Sequence, residues 1–427
     1  MNVLLLGSGG RECTLAWKIS QSSILSELYI TPGNGGTLEY GKNLGISASD
    51  FPAVEKFCLE NDIQLIVCGP EQPAVAGIWD YFQRANLKHI KVVAPSQKSA
   101  MLEGSKAFAK EFMAANQIPT ADYLEITKDN LEKAYQWFEE KNPPFVIKAD
   151  GLAEGKGVVL PETKEEARQL IDEFILGGKF GTSSEKVVLE EFLDGMEFSI
   201  FVYTNGSQYV LLPNAKDYKR RFEGNKGLNT GGMGCISPVP FIDKALIEQV
   251  ESKVIKPTIE GLKKAQMPYT GFIYFGLILC QNEAKVIEYN CRLGDPETEV
   301  ILPRTNCDLL ALFQAGFDNK LEGFEVGISE KAAATVMLVS DGYPEAYEKG
   351  FPITGIENVH QAFVFHAGTM IKDYQLVTNG GRVIAVTGMG ENLKDALSKS
   401  YDAIERIRFK GMKFRTDIGF EFYPSEK

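Results

Sequence analysis

Short apolar runs alternate with amphipathic segments through the first hundred residues of the chain. The runs end in glycine-rich turns and predict strands, whereas the segments between them are apolar on one face only and predict helices. Strands that alternate with helices predict a small parallel sheet with helices on both faces. The predicted strands span residues 2–6, 28–30, 65–68 and 91–94, and the predicted helices span residues 12–21, 53–60 and 74–85.

The hydrophobic pattern becomes more varied after residue 99. Residues 99–117 are apolar at helical spacing, and Asn205-Gly206 is a strong hairpin signal. After residue 325 the predicted elements are short and indicate a small mixed α/β or β-rich module. Further predicted helices span 165–176, 243–265, 298–317 and 393–407, and further predicted strands span 145–148, 186–193, 272–280, 286–291, 333–339, 363–365 and 382–387.

The strand that begins at Val286 ends in an unusual set of polar side chains. Because alternate side chains of a strand point to opposite faces, three polar residues should share one face: Glu288, Asn290 and Arg292. By the same rule three other residues should share the opposite face: Ile287, Tyr289 and Cys291. Oxygen ligands beside a cation indicate Mg²⁺ that carries phosphates, and Asp295 and Glu297 follow at the start of the next predicted helix. A polar strand edge before a capped helix explains the same residues equally well.

Composition and charge narrow the classes of partner. A net charge of -12 and a pI near 5.1 disfavour nucleic acid and anionic membranes, because those partners require dense Lys and Arg. Any phosphate site must therefore be local. The seven cysteines include no C-x-x-C pair and are expected to be buried thiols in a reducing compartment. The longest apolar run, near residues 271–280, is too short for a membrane span, so we expect a cytoplasmic protein.

The loop at residues 7–12 begins like a dinucleotide-binding turn. Glu12 replaces the third glycine of that motif, and Thr31 stands where an acid would bind a ribose, so a nicotinamide cofactor is disfavoured. Backbone amides and Arg11 at a helix start can still hold a small phosphate. Tight turns alone would also explain these glycines.

Two lysines are candidates for phosphate contacts. Lys148 interrupts an apolar strand, where an ammonium is costly unless it faces an anion. The glycine-rich turn at residues 151–157 is predicted to be a flap that closes over phosphates, with an ordinary hairpin as the alternative. Lys106 lies on the amphipathic helix, where solvent exposure is the usual explanation.

Two later segments carry groups suited to an anionic ligand. The strand that ends at residues 190–193 could offer backbone edges to an adenine, and Glu197 could reach a ribose hydroxyl; solvated edge charges are the alternative. The basic residues around Lys219 precede a glycine-rich loop at residues 227–234, and together they indicate a local anion site.

Seven motifs, in order along nearly the whole chain, resemble those of the phosphoribosylamine–glycine ligases. This family, also called the glycinamide ribonucleotide synthetases, belongs to the ATP-grasp superfamily. Each motif is weak alone, whereas the ordered set is highly specific. The motifs are LGSGGRE at 6–12, PGNGGT at 32–37, LEGSK at 102–106, VIKADGLA at 146–153 with GKG at 155–157, NTGGMG at 229–234, RLGDPE at 292–297 and FHAGT at 365–369.

The resemblance implies an α/β protein of three domains. These are a doubly wound pre-ATP-grasp domain at residues 1–101, an α+β ATP-grasp core at 102–325 with a flap-bearing lobe near 120–195, and a small mixed α/β C-terminal domain at 326–427. The implied reaction is ATP-dependent ligation of glycine to 5-phosphoribosylamine through glycyl phosphate, with Mg²⁺ or Mn²⁺, in purine (IMP) biosynthesis. Because the chain ends at Lys427, we expect a monofunctional enzyme, and we expect a monomer.

The resemblance also implies roles for single residues. The metal ligands would be Glu288 and Asn290. The ATP phosphates would lie against Lys106, Lys148 and the flap residues Gly151, Gly155, Lys156 and Gly157. The adenine would lie beside Glu190, Phe192 and Leu193, and the ribose beside Glu197. Glycine or its acyl phosphate would face Arg292, Asp295, Glu297, Asp217 and Lys219. The phosphoribosylamine would lie against Gly9, Gly10, Asn34 and Gly35.

Four positions depart from the family pattern: Cys13 and Tyr218 replace the usual His, Leu228 replaces Pro, and Leu293 replaces Phe. The first two put any imidazole role at those positions in doubt. Another ATP-grasp carboxylate–amine ligase is the nearest alternative enzyme, and a substrate panel would identify it. A catalytically silent nucleotide-binding protein is the alternative outside enzymes, and it would bind ATP without glycine-dependent turnover.

Overall fold

Parallel strands and flanking helices form the N-terminal part of the chain, as the sequence pattern predicted. The computed structural model describes residues 1–151, 157–177 and 186–423. The N-terminal elements are β1 (Asn2–Gly7), α1 (Gly10–Ile19), β2 (Glu27–Pro32), β3 (Lys42–Asn43), α2 (Phe51–Glu60), β4 (Ile63–Cys68), α3 (Glu71–Val75), α4 (Ile78–Tyr81) and β5 (Lys91–Pro95). The strand order is β5-β4-β1-β2-β3, so the turns after β1, β2 and β4 meet at one edge of the sheet.

Two helices connect this sheet to an antiparallel lobe. The elements are α5 (Gln97–Gly104), α6 (Lys106–Ala115), β6 (Tyr123–Ile126), α7 (Glu132–Glu140), β7 (Phe145–Ala149), β8 (Val158–Val159), α8 (Lys164–Ile175) and β9 (Val187–Glu191). The lobe sheet has the order β6-β9-β7-β8, and its core includes the buried rings of Phe138, Phe145 and Phe174.

A long apolar hairpin extends the N-terminal sheet through the middle of the molecule. The elements here are β10 (Met196–Thr204), β11 (Tyr209–Leu211), β12 (Lys216–Asp217), β13 (Arg220–Phe222), β14 (Lys226–Asn229), β15 (Gly234–Ser237), α9 (Lys244–Val250), a π turn (Glu251–Ile255), α10 (Lys256–Lys264), β16 (Tyr269–Cys280), β17 (Glu283–Asn290), α11 (Thr298–Ile301) and α12 (Leu309–Phe317). Strand β16 pairs antiparallel with β5 at Tyr269 and Thr270, and also with β10 and β17. One continuous sheet therefore carries both the N-terminal turns and β17.

The C-terminal sheet includes two strands from the middle of the chain. The last elements are β18 (Ala332–Val339), β19 (Ala362–His366), β20 (Thr369–Lys372), β21 (Gln375–Thr378), β22 (Arg382–Gly390) and α13 (Leu393–Ile404). The order of the sheet is β12-β15-β18-β22-β19, and α13 packs on it. The predicted mixed α/β class is confirmed. Within the described ranges, the helices are too short or too polar to cross a bilayer.

Three helices predicted as continuous are each divided in two. The predicted helix at 74–85 is interrupted at Gly77, whose φ of +90° lies in the left-handed region. The predicted helix at 99–117 breaks at Ser105, which is extended and caps α6 by accepting a bond from the Phe108 amide. The predicted helix at 298–317 stops before Pro303 and restarts behind Asp308, which caps α12. The break at Ser105 makes Lys106 the first residue of a helix.

Candidate active site

A cleft of about 1410 Å³ opens where the carboxyl ends of the N-terminal strands face β17 and the loops before β15. An inner cavity of about 190 Å³ lies beside α6 and shares Lys148, Glu190 and Glu288 with the cleft as lining residues. The cleft brings together most of the residues predicted from sequence: Gly9, Lys148, Glu190, Phe192, Leu193, Glu197, Asp217, Lys219, Glu288, Asn290, Arg292, Asp295 and Glu297. Lys106, Gly151 and Gly157 line the inner cavity.

The polar face of β17 forms the floor of the cleft. Glu288, Asn290 and Arg292 line it as alternation predicted, while Tyr289 and Cys291 belong to the apolar core, from which Tyr289 also borders the inner cavity. The prediction for Ile287 is wrong, because Ile287 lines the cleft as well. The physical reason is a bulge: Gly276 of β16 pairs with Glu288 and the next residue, Leu277, pairs with Val286, so Ile287 is the extra residue.

Four positively charged side chains lie near the Glu288 carboxylate. Burial alone would raise the pKa of its carboxyl, but Lys219, Lys148, Lys106 and Arg292 lower that pKa below its ordinary value. Among the residues that the structure describes, no cluster of three or more His, Cys, Asp or Glu side chains could hold a metal. The residues fit Mg²⁺ of the kind held by one carboxylate, one amide and the substrate's own phosphates, and such a site needs no cage made of protein alone.

Both predicted phosphate lysines, Lys106 and Lys148, line the inner cavity. Lys106 Nζ donates to the Gly151 carbonyl at 2.9 Å. Lys148 Nζ lies 2.9 Å from Glu190 Oε1, and both side chains are nearly buried. Gly151 and Gly157 border the cavity where the predicted flap begins and ends. The remaining predicted flap residues, Gly155 and Lys156, lie outside the described residues.

Three of the four residues predicted to surround the nucleoside, namely Phe192, Leu193 and Glu197, line the cleft and are at least partly exposed. Phe192 is 44% exposed and, like Leu193, lines the cleft after the end of β9. Glu197 Oε2 lies 3.5 Å from Lys219 Nζ. Glu190 is placed differently from its predicted neighbours, because its carboxylate faces inward towards lysines and is 4% exposed.

Asp217, Lys219 and Glu297 form an acidic and basic cluster beside β17. Lys219 Nζ lies 3.9 Å from Asp217 Oδ2. Burial raises the pKa of Asp217, and Lys219 opposes that rise. Glu297 is 3% exposed, and burial together with the nearby Asp217 charge raises its pKa to about 7. A carboxyl that titrates near neutrality inside a cleft is suited to accepting a proton.

Arg292 is held between two carboxylates that the sequence did not single out. Its Nε lies 3.1 Å from Glu71 Oε2, and its Nη2 lies 2.8 Å from Glu103 Oε1. Its Nη1 donates to the Leu293 carbonyl at 3.2 Å. A guanidinium has five N–H donors. Three of them contact these described residues, so two remain for a ligand.

The loop at Gly9 is closed by carboxylates. The Gly9 amide donates to Glu12 Oε2 at 2.6 Å, and the Arg11 amide donates to Asp295 Oδ2 at 3.1 Å. The Arg11 guanidinium bonds Glu12 and the Leu293 carbonyl. The small phosphate expected at these amides and at Arg11 would therefore have to displace protein groups. Asp295 also pairs with Arg382 of β22, at 3.0 Å.

The other residues predicted to bind phosphoribosylamine are Gly10, Asn34 and Gly35. They are not among the described residues that line the cleft. The amide Nδ2 of Asn34 donates to the carbonyls of Ser8, Gly9 and His366, and its Oδ1 accepts from two backbone amides. A Cβ at Gly10 would come within 2.2 Å of Glu299 Oε1, and one at Gly35 within 2.5 Å of the Leu376 side chain. These residues hold the loops together by close packing.

Of the four residues that depart from the family pattern, three are buried and one is exposed. Cys13 is fully buried, and burial raises the pKa of its thiol to about 12. Tyr218 is 1% exposed and donates to Glu421 Oε2 at 2.9 Å, on the opposite side of β12 from the Asp217 and Lys219 side chains. Leu293 is buried in the main core, and Leu228 is 51% exposed. Tyr218 borders the cleft with its hydroxyl bonded to Glu421, whereas Cys13 is not one of the described residues that line the cleft.

Sequence reasoning missed four charged residues of the site: Glu71, Glu103, Lys110 and Arg382. Glu71 and Glu103 had a weak signal, since they lie in a glycine-rich turn and in the LEGSK motif. Lys110 is one turn after Lys106 on an amphipathic helix, and Arg382 begins an ordinary strand. Their partners are distant in sequence, so only the fold reveals them.

Comparison with known proteins agrees with the geometry. The family models described as phosphoribosylglycinamide synthetase N domain, ATP-grasp (A) domain and C domain match residues 1–103, 104–298 and 333–421. A phosphoribosylamine–glycine ligase from Caldanaerobacter subterraneus is 42% identical over 98% of this chain and 99% of its own length. One from Pasteurella multocida is 43% identical over 100% and 99%.

Solved structures show the same fold. The crystal structure of a Thermotoga maritima phosphoribosylamine–glycine ligase matches with a TM-score of 0.83 and 35% identity, over 98% of this chain and 100% of that one. The biotin carboxylase domain of Hydrogenobacter thermophilus 2-oxoglutarate carboxylase matches with a TM-score of 0.74 at 16% identity, over 96% and 91%. The second match concerns the fold alone. The expected resemblance is confirmed, and the chain belongs to the phosphoribosylglycinamide synthetase family of ATP-grasp proteins.

Proposed function

We propose that the chain ligates glycine to 5-phosphoribosylamine, using ATP and a divalent cation, and forms glycinamide ribonucleotide, ADP and phosphate. The observation that carries the proposal is the shared cleft. In it, Glu288, Asn290 and Arg292 lie beside the buried Lys148 and the half-buried Lys106 and open towards the loop at Gly9. Full-length relatives that are 42–43% identical are named phosphoribosylamine–glycine ligases, which supports the choice of substrates.

The first step would activate the carboxylate of glycine. A glycine carboxylate oxygen attacks the γ-phosphorus of ATP, the bond between that phosphorus and the bridging β-γ oxygen breaks, and glycyl phosphate and ADP form. Lys106 and Lys148 would neutralise the phosphates, and Arg292 would orient the glycine carboxylate through its two remaining N–H groups. Glu288 and Asn290 would hold Mg²⁺ or Mn²⁺, which supplies further charge neutralisation. The chain's contribution is positioning and electrostatics.

The second step would form the amide. The amine nitrogen of phosphoribosylamine attacks the carbonyl carbon of glycyl phosphate, and the bond from that carbon to the phosphate oxygen breaks. The nitrogen must lose a proton, and Glu297, a buried carboxyl beside Asp217, is placed to accept it. Asp295, held by Arg382 and by the Arg11 amide, would border the glycyl phosphate.

Release of ADP tests the proposal directly. Purified protein with ATP, Mg²⁺, glycine and phosphoribosylamine should release ADP, and omission of either glycine or phosphoribosylamine should abolish that release. AMP with pyrophosphate as products would overturn the mechanism. Turnover with a different carboxylate or amine in a substrate panel would instead identify another carboxylate–amine ligase.

Replacing Glu297 with Gln should lower kcat and change its pH dependence. If the Glu297 carboxylate accepts the proton, wild-type kcat should rise with pH through about 7, because the basic form appears as pH increases. The amide side chain cannot accept that proton, so kcat should fall roughly a hundredfold to ten-thousandfold and the pH-dependent rise should disappear. Initial rates from pH 5.5 to 9 at saturating substrates measure both effects. A retained rise in the variant would assign it to another group.

A further inference from the structure

A third lysine borders the inner cavity and has no role in the proposed chemistry. Lys110, on α6, is 2% exposed. Its Nζ donates to Thr120 Oγ1 at 2.7 Å and to the Ala121 carbonyl at 3.3 Å, and it lies 3.2 Å from Glu190 Oε2. Since an ammonium has three N–H donors, these partners use all of them. Lys110 therefore acts through its protein partners.

Glu190 joins Lys110 to Lys148. Its other oxygen, Oε1, lies 2.9 Å from Lys148 Nζ, and each of the three side chains is at most 7% exposed. Lys148 Nζ also reaches the Ile287 carbonyl, at 3.4 Å. The contact with Glu190 is an ion pair and not a hydrogen bond, so within the described residues Lys148 keeps N–H groups for a ligand in the cavity. One carboxylate between two ammoniums leaves a net positive charge, which favours a bound polyanion.

Lys110 is also connected to the strand that carries Glu288. Thr120 Oγ1, which accepts the bond from Lys110, donates to the Val286 carbonyl at 2.7 Å. The Val286 amide in turn donates to the Pro119 carbonyl at 2.8 Å. These bonds fix β17 directly before its bulge and two residues before Glu288.

We propose that Lys110 is a positioning residue for the nucleotide phosphates. It holds Glu190 so that Lys148 keeps an unneutralised charge directed into the cavity, and it anchors β17 through Thr120. Without Lys110, Glu190 would pair with Lys148 alone, and that neutral pair would attract phosphate less strongly. The inference rests on the proposed function only in taking ATP and ADP as the ligands.

Lys110→Met, which keeps the length of the side chain and removes its charge, tests the proposal. We expect the KM for ATP and the Kd for Mg-ADP, measured by titration calorimetry, each to rise about tenfold to a hundredfold, while the KM for glycine stays within about twofold. Lys110→Arg keeps the charge and should recover most of the ADP affinity. Lys18→Met is the matched control, because Lys18 is another buried lysine, bonded to the Thr305 carbonyl away from the cleft.

Three results would overturn the assignment. They are an ADP Kd for Lys110→Met within about twofold of wild type, equal rises in the KM values for ATP and glycine, and an equal loss of ADP affinity in Lys18→Met. If the Met variant does not fold, Thr120→Val, which removes only the hydroxyl between Lys110 and Val286, should still weaken ADP binding, and unchanged binding would overturn the role. A wild-type protein that binds ADP without turnover would contradict the proposed function and leave the ADP test intact.

Discussion

Replacing Glu288 with Gln is expected to lower kcat by about two to three orders of magnitude while the protein stays folded. Gln keeps the size of the side chain and one oxygen ligand, but it removes the negative charge that Lys219, Lys148, Lys106 and Arg292 surround. A metal site formed by one carboxylate and one amide would lose its only formal charge from the protein. Steady-state rates across a Mg²⁺ titration should show both a lower kcat and a higher Mg²⁺ requirement.

A matched control lies on the same strand. Glu283 begins β17, pairs with Lys253 at the surface and faces neither cavity in the described residues. Glu283→Gln should therefore leave kcat and the Mg²⁺ requirement unchanged. Thermal unfolding of both variants separates loss of metal binding from loss of structure. Near-normal turnover by Glu288→Gln would remove this residue from the metal site.

Replacing Arg292 with Met should be the most destabilising change in the cleft. It leaves Glu71 and Glu103 close together without their shared cation, and removing one partner of a buried ion pair costs about 3–5 kcal/mol of unfolding free energy. The side chains of all three residues are no more than 26% exposed, so solvent screens the interaction only partly. Turnover should also fall, because the remaining N–H groups of Arg292 face the cleft.

The pH dependence of stability provides a sharper test of Arg292. Burial raises the pKa of Glu103 even in the wild type, whereas Arg292 and Arg11 outweigh burial and lower the pKa of Glu71. Without Arg292 both carboxyls should bind protons in the folded state at pH values where the unfolded chain does not. Stability then falls as pH rises, so the deficit of the variant should be larger at pH 8 than at pH 5.

Two companion variants complete this test. Arg292→Met with Glu103→Gln should recover part of the lost stability without recovering turnover, since the arginine is still absent. Arg292→Lys should be more stable than the Met variant, although an ammonium cannot reproduce the planar fork that spans two carboxylates. If Arg292→Met and the double variant Arg292→Met with Glu103→Gln were equally stable, the unpaired Glu103 carboxylate would not be the source of the lost unfolding free energy. Urea unfolding at both pH values measures these differences.

Local patterns predicted the parallel sheet, the Asn205-Gly206 hairpin and the polar face of β17, because each depends on neighbours in sequence. The bulge at Ile287 depends on how β16 pairs across the sheet, so alternation placed that one side chain on the wrong face. Helix periodicity joined three pairs of helices into single predicted helices, because a glycine, a serine or a proline separates the members of each pair. Breaks of this kind are decided by one residue within an otherwise uninterrupted pattern.

The charged pairs of the site were harder to predict than its strand. Glu71 and Arg292 are separated by 221 positions in the sequence, and Asp295 and Arg382 by 87. In a single sequence Glu71 and Arg382 look like ordinary surface charges, and no local pattern pairs them with Arg292 and Asp295. The ordered family motifs identified the cleft as a whole, whereas the partners of each group, including the two lysines on Glu190, followed only from the packing of the elements.

The C-terminal sheet has a consequence for dividing the chain into modules. Strands β12 and β15, which belong to the middle of the sequence, form one side of that sheet, and β15 pairs with β18 along Gly234–Ser237. A gene truncated between the ATP-grasp core and the C-terminal segment would therefore cut through hydrogen-bonded β-structure and leave an unpaired strand edge on each fragment. Strand β15, on which β12 and Asp217 pair, would lose its partner β18 in the same cut. The C-terminal segment matches its own family model, but its residues also line the cleft, so the cleft depends on both parts of the chain.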